Sequence, residues 1–347
     1  MLNGLLSKYP DLQTLLEQRL QQAAIENPHL ETNPVRTIEQ WCAYVERFAH
    51  QMPWQTMDIG EDASFFRRID QNIGYFYFLL GDLQYEPRIA QWLKEYNTAW
   101  GEWLSSSGSW NDDYYQLALS DPLFELHTDR YESPDNWHSW NDFFARKLRK
   151  PYTIHHTSYT FISPCDGVIA EEGLIKTASI KNWLDLLGDS PYRDVFADGE
   201  TVHIVLDVFD YHRCHMPCDG TVLDCRTIQG IHAGGGEIIW DEEQGRYRYV
   251  QCGVTDFQML ETRGVLIIDT PAYGKVAIVP VGVQQVSSVQ WTFSHTPYTI
   301  HHTPLMLLQG DELGCFLFGG SDVVLFFEPG RAPHISSKNV KVGEKIA

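Results

Sequence analysis

The sequence predicts an α+β protein: a helical N-terminal region, residues 1–139, followed by a β-rich, barrel-like domain, residues 140–347. Three observations predict it. Up to about Arg149, apolar residues recur at three-to-four spacing, the period of a helix with one buried face. From Pro151 onward, short runs rich in Val, Ile and Phe dominate, punctuated by Gly, Pro and Asp. Finally, "SPCDGVIAEE" (Ser163–Glu172) is echoed by "MPCDGTVLDC" (Met216–Cys225). Two similar hairpin entries would give that echo, and so would an internal pseudo-repeat, a duplicated half-barrel.

The helical reading rests on "DLQTLLEQRLQQAAIE", "TIEQWCAYVERFAHQM", "ASFFRRIDQNIGYFYFLLGDL" and "RIAQWLKEYNTAWGEWL". "SPDNWHSW" reads as a loop, and "WNDFFARKLR" as a short helix starting near Asn141 or Asp142. The strands are expected at "TVHIVLDV", "GTVLDC", "YRYVQCGV", "GVLIID", "KVAIVPVGV", "CFLF" and "VVLFF", with one helix, "SIKNWLDLLGD", among them. A second echo, "PYTIHHT", occurs at 151–157 and again at 297–303.

Charge narrows the function classes. With 46 acidic against 26 basic residues the formal net charge is −20, which argues against a nucleic-acid partner, since phosphate binding needs a basic surface. The longest apolar stretch of the first half, Tyr75–Leu80, is far below the ~20 residues of a membrane span. The N-terminus lacks the apolar core of a signal peptide. Seven cysteines, an odd number spread from Cys42 to Cys315, do not form a disulfide framework. A cytoplasmic protein with reduced thiols and no membrane span is expected; oligomeric state is not legible.

The densest polar cluster is "DVFDYHRCHMPCDG" (Asp207–Gly220). His212, Cys214, His215 and Cys218 could be metal ligands, but their spacing matches no closed four-ligand zinc pattern, so no metal is expected. Either histidine alone reads as a hydrogen-bonded turn residue. Together with Asp166 and Ser321, each beside glycine, the cluster supplies acid, base and nucleophile, the parts of a Ser–His–Asp relay. Gly319 and Gly320 precede Ser321 between two apolar runs, and glycines reach backbone angles closed to other residues.

These segments resemble the phosphatidylserine decarboxylase family. "FFARKLRKP", "SPCDGVI", "IKTASIKNWLDLLGD", "DYHRCHMPCDG", "KVAIVPVGVQQVSSV", "GDELGCFLFGGSD" and "VKVGEKIA" match its motifs in order, from about Trp140 to Ala347. Upstream, "NTAWGEWLSSSGSW" and "SWNDFFARKLR" are similar to the extra domain of a soluble branch that includes fungal tryptophan decarboxylases. Four positions depart from the pattern. Asp322 stands where Thr is usual, Ser287 where Gly is common, and Thr177 replaces the Gly after Lys176. Arg263 is kept without the Asn that usually lies two residues before it.

The resemblance implies a self-cleaving enzyme in which 140–347 is the catalytic domain. Ser321 would attack the Gly320 carbonyl, with His215 as base oriented by Asp166. β-Elimination would then free Met1–Gly320, and the residue left from Ser321 would become a covalent pyruvoyl group, replacing any need for pyridoxal phosphate. The substrate amine would form a Schiff base there and lose carbon dioxide, with His212 returning the proton. The acidic chain and helical domain favour a soluble, for instance aromatic, amino acid as substrate. Phosphatidylserine, giving phosphatidylethanolamine, is the alternative. Asp322 motivates a third reading, an unprocessed relative that binds a ligand or partner without catalysis.

Overall fold

The computed structural model describes residues 2–52, 65–121, 126, 128–149, 160–175, 183–234, 236–251, 259–282, 288–292, 305–318, 321–335 and 337–346. Gly320, Lys176, Thr177, Ser287 and both copies of "PYTIHHT" lie outside these residues. The helices are α1 Leu2–Lys8, α2 Pro10–Glu26, α3 Ile38–Phe48, α4 Phe65–Leu80, α5 Pro87–Leu104, α6 Asp112–Ser120 and α7 Trp140–Phe144. The strands are β1 Gly167–Leu174, β2 Glu200–Leu206, β3 Arg213–His215, β4 Gly220–Ile228, β5 Gly236–Asp241, β6 Arg246–Gln251, β7 Thr262–Thr270, β8 Gly274–Gly282, β9 Gln290–Trp291, β10 Met306–Leu307, β11 Glu312–Cys315, β12 Ser321–Phe327 and β13 Asn339–Val340. The α+β class stands.

The chain forms two compact units. One comprises Met1–Leu126, His138–Trp140 and His232–Phe257; the other comprises His127–Trp137, Asn141–Ile231 and Gln258–Ala347. In the first, local signals set the helix ends. Thr37 and Gln40 close a reciprocal capping box on α3, and the Glu86 carboxylate accepts the Arg88 and Ile89 amides at the start of α5. The β5–β6 hairpin packs on α4 of this unit. Its Tyr249 hydroxyl accepts from Asn27 Nδ2 at 2.7 Å and donates to the Thr32 carbonyl at 2.8 Å. Gly74 admits the hairpin, since a Cβ there would stand 3.0 Å from that of Tyr249.

The second unit is built on an antiparallel sheet ordered β10-β4-β7-β8-β12-β2-β1-β13. Among the described residues this sheet is open, ending at β10 and β13, so the barrel-like expectation becomes an open sheet. One face buries Val202, Ile204, Leu206, Leu266, Ile268, Val276, Ile278, Val323, Leu325 and Phe327. Each contributing strand alternates sides with a period of two.

The sequence echo is a structural repeat. β1 and β13 pair through Gly167–Val340, and β4 and β10 through Gly220–Leu307. Asp166 accepts the Val342 amide at 2.8 Å, and Asp219 accepts the Gln309 amide at 2.7 Å. The Ile162 amide donates to the Pro217 carbonyl, while the His215 amide donates to that of Pro164. Both echo strands carry an irregularity two residues in, after Ile169 and after Val222. The halves (β1, β2, β12, β13 and β4, β7, β8, β10) meet where β12 pairs with β8.

Two expected elements differ. Within "SIKNWLDLLGD" the described part is a 3-10 turn, Trp183–Leu187. Its carbonyls at Asp185 and Leu186 accept from the Arg263 guanidinium. Of "CFLF", only Cys315 is in a strand. Phe316 and Phe318 are buried, but the amides of this arm find partners outside a ladder: the His212 carbonyl, Ser288 Oγ and Asn141 Oδ1. Apolar runs announce burial, and only the available partners decide whether the backbone is a strand.

Candidate active site

Ser321 opens β12, held between Leu206 of β2 and Gly282 of β8. Alternation puts its side chain on the core face with Val323 and Leu325. It is buried, and its Oγ lies 2.9 Å from Nδ1 of His212. The structure therefore brings together His212 and Ser321, not His215 and Ser321.

The His212 ring is fixed by its neighbours. Phe144 of α7 stacks on it with centroids 3.8 Å apart and planes 16° apart. Its Nε2 is buried with no hydrogen-bond partner among the described residues. Burial, reinforced by the Arg146 guanidinium, pushes its pKa down to about 3, while the backbone at Val208 and Asp207 pulls the other way. The ring is neutral at physiological pH, so its Nδ1 lone pair can accept the serine proton.

Arg146 is fully buried. Its Nη2 donates to the carbonyls of Phe209 and Asp210 at 2.6 and 2.9 Å, and its guanidinium lies over the Tyr131 ring at 4.4 Å. These contacts offset part of the cost of burying the charge, with Nε left without a hydrogen-bond partner among the described residues, and they hold the turn leading into His212. The same short segment orders the approach to Ser321: Asn141 Oδ1 accepts the Phe318 amide at 3.0 Å, and Phe144 meets the Phe318 ring edge-on.

Both ring nitrogens of His215 are engaged elsewhere. Nδ1 donates to the Gly310 carbonyl at 2.9 Å, so in the neutral ring Nε2 accepts from the Tyr211 hydroxyl at 3.0 Å. Burial lowers its pKa, favouring that neutral form.

Asp166 is buried in an ion cluster. Arg130 binds both carboxylate oxygens, at 2.7 and 3.0 Å. Lys341 Nζ lies 3.4 Å from the same carboxylate and 3.1 Å from Asp210. Burial alone would raise the Asp166 pKa, but Arg130 and Lys341 reverse that and hold it below the usual carboxylate range. For Asp210 burial prevails over Lys341, and its pKa rises. Among the described residues, Asp166 makes no hydrogen bond to either histidine.

Sequence reasoning did not single out Arg130, Asn141, Phe144, Arg146, Tyr211 or Lys341. Phe144 and Arg146 lie within "FFARKLRKP" and Lys341 within "VKVGEKIA", which was the available signal. Arg130 had none. Among the described residues, no group of three His, Cys, Asp or Glu side chains is placed to hold a metal ion, and no helix is long and apolar enough to cross a membrane.

The family model described as phosphatidylserine decarboxylase matches residues 140–347. The phosphatidylserine decarboxylase proenzyme of Psychrobacter arcticus is 31% identical over 218 residues, covering 58% of this chain and 74% of the relative. That of Alcanivorax borkumensis is 29% identical over 243 residues, covering 64% and 78%. That of Chlamydia pneumoniae is 31% identical over 218 residues, covering 59% and 65%. A match over more than half the chain, on the segment that carries Ser321 and His212, settles the classification: the chain belongs to the phosphatidylserine decarboxylase family, carboxy-lyases made as self-cleaving proenzymes with a covalent pyruvoyl group.

Proposed function

We propose that this protein decarboxylates phosphatidylserine to phosphatidylethanolamine after cutting itself between Gly320 and Ser321. The observation that carries the cut is the hydrogen bond between Ser321 Oγ and His212 Nδ1. A serine hydroxyl is a weak nucleophile and needs a base within hydrogen-bond reach. His212 fills that place, where the sequence had suggested His215.

Ser321 Oγ attacks the Gly320 carbonyl carbon while His212 takes its proton and passes it to the departing Ser321 nitrogen. An ester C–O bond replaces the amide C–N bond. Loss of the Ser321 Cα hydrogen to a base then breaks the Cβ–Oγ bond, leaving a carboxylate on Gly320 and a dehydroalanine at 321, whose imine tautomer takes up water and loses ammonia to become the pyruvoyl group. Asn141 and Phe144 hold the arm ending at Phe318, limiting how far the scissile bond can drift. Asp166, paired with Arg130 and Lys341, acts on His212 and His215 through its charge, which favours their protonated forms.

The residue formed from Ser321 supplies an electron sink for the substrate's α-carbon as carbon dioxide leaves. His212 then faces the space the serine side chain occupied; it takes up the proton that the substrate amine gives up and returns it to that carbon. The phospholipid substrate rests on the relatives, each called a phosphatidylserine decarboxylase proenzyme. They favour it over the free amino acid suggested by charge and the helical unit. Purified protein is incubated with phosphatidylserine liposomes and, separately, with free amino acids that include the aromatic ones. Carbon dioxide from the liposomes alone is expected; release from free amino acids alone overturns the substrate reading.

A further inference from the structure

Asp322 follows the cleavage serine, and strand alternation sends its side chain to the opposite face of the sheet. There Oδ2 lies 2.9 Å from Nε2 of His203 on β2. In the register Asp322 faces Val205 and Val324 faces His203, so the two side chains meet diagonally across adjacent strands. His203 is fully buried and Asp322 nearly so. The Trp183 ring closes edge-on over His203 at 5.3 Å. A carboxylate without its proton can only accept, so Nε2 donates. His203 Nδ1 is buried with no hydrogen-bond partner among the described residues, so the ring's polar link runs through Asp322.

We propose that His203 and Asp322 form a clamp that holds the new end of β12 in register after the chain is cut, and so positions the group formed from Ser321. The inference rests on the proposed cut at Gly320–Ser321. Cleavage turns a mid-chain residue into a chain end, and strand ends fray unless tied down. It also removes the Ser321 hydroxyl, ending the bond to His212. Asp322 is then the first residue with a side-chain anchor, and its nitrogen carries the reactive group. His203 and Asp322 are positioning residues, since both lie on the face away from His212.

The test uses the whole protein with Asp322→Val, the double variant Asp322→Val/His203→Leu, and the conservative Asp322→Asn. Three quantities are read: extent of cleavage on a denaturing gel, hydrogen exchange of the 322–325 amides, and kcat with KM. All variants are expected to cleave. In Asp322→Val and in the double variant, exchange should rise and kcat fall by about tenfold, with KM within about twofold. Asp322→Asn should recover most of both. The double variant separates the clamp from packing, because it removes the carboxylate and the His203 ring that it holds together. Cleaved Asp322→Val with wild-type exchange and kcat overturns the clamp, as does a double variant that recovers both. Failure of both to cleave also overturns it, by placing the pair's effect before the cut. A wild-type protein that runs as one 39.9 kDa species instead refutes the cleavage reading, and the clamp with it.

Discussion

His212 Nδ1 and Ser321 Oγ stand 2.9 Å apart although 109 residues separate them in the chain. Removing that base should cost the cut more than any other histidine change. His212→Ala should slow cleavage by about 100-fold or more, at the low end of what a positioned base contributes. His215→Ala, which loses bonds to Tyr211 and Gly310, should slow it less. Time courses on denaturing gels give the ranking, and the reverse order would reinstate the His215 relay.

Asp166 is nearly inaccessible and gripped by Arg130. Arg130→Ala strips one partner from a buried carboxylate, which should destabilise the fold by about 3 kcal/mol. Lys341 and the Val342 amide remain and keep the loss from being larger. Asp166→Asn, which leaves no buried anion, should cost less. Urea unfolding in a Ser321→Ala background measures both, and equal losses would mean that the carboxylate charge is immaterial.

Phe144 stacks on His212 and meets Phe318, on the arm that leads to Ser321. Phe144→Ala should remove about 3 kcal/mol of stability as a buried aromatic. It should also slow cleavage well beyond what the unfolded fraction explains. Phe144→Leu, which fills the space without a stacking ring, should restore stability more than cleavage. Equal recovery of both would reduce Phe144 to a packing residue.

Acid should weaken the uncut protein from just below neutrality. His212 has its pKa lowered from 6.5 to about 3 by burial. Between these values the unfolded chain binds a proton that the folded chain does not, so stability rises with pH and is lost as pH falls below 6.5. The slope is at most about 1.4 kcal/mol per pH unit for this group. Asp166, whose folded pKa lies below 3.8, adds a loss at lower pH. Comparing Ser321→Ala with Ser321→Ala/His212→Gln between pH 7 and 4 isolates the histidine. The double variant should show the flatter profile, and identical profiles would refute the assignment.

The helices, most strands and the paired Pro-Cys-Asp-Gly turns were legible because each depends on a period or turn signal within a few residues. Ser321, His212, His215 and Asp166 were singled out as a set through their motifs. Which of them touch was not. Sequence suggested His215 beside Ser321; the structure puts His212 there, because Phe144 and Arg146 fix the preceding turn and Gly310 and Tyr211 hold His215. Asp322 read as a departure beside the cut, and only the register of β12 on β2 shows that it turns away toward His203. The sequence by itself determined the fold class, the family and the chemical groups, since those follow from local patterns. The tertiary structure alone decided the open sheet, the seating of the β5–β6 hairpin on α4 and the pairing of His212 with Ser321. Those depend on contacts between residues far apart in the chain, which no local pattern specifies.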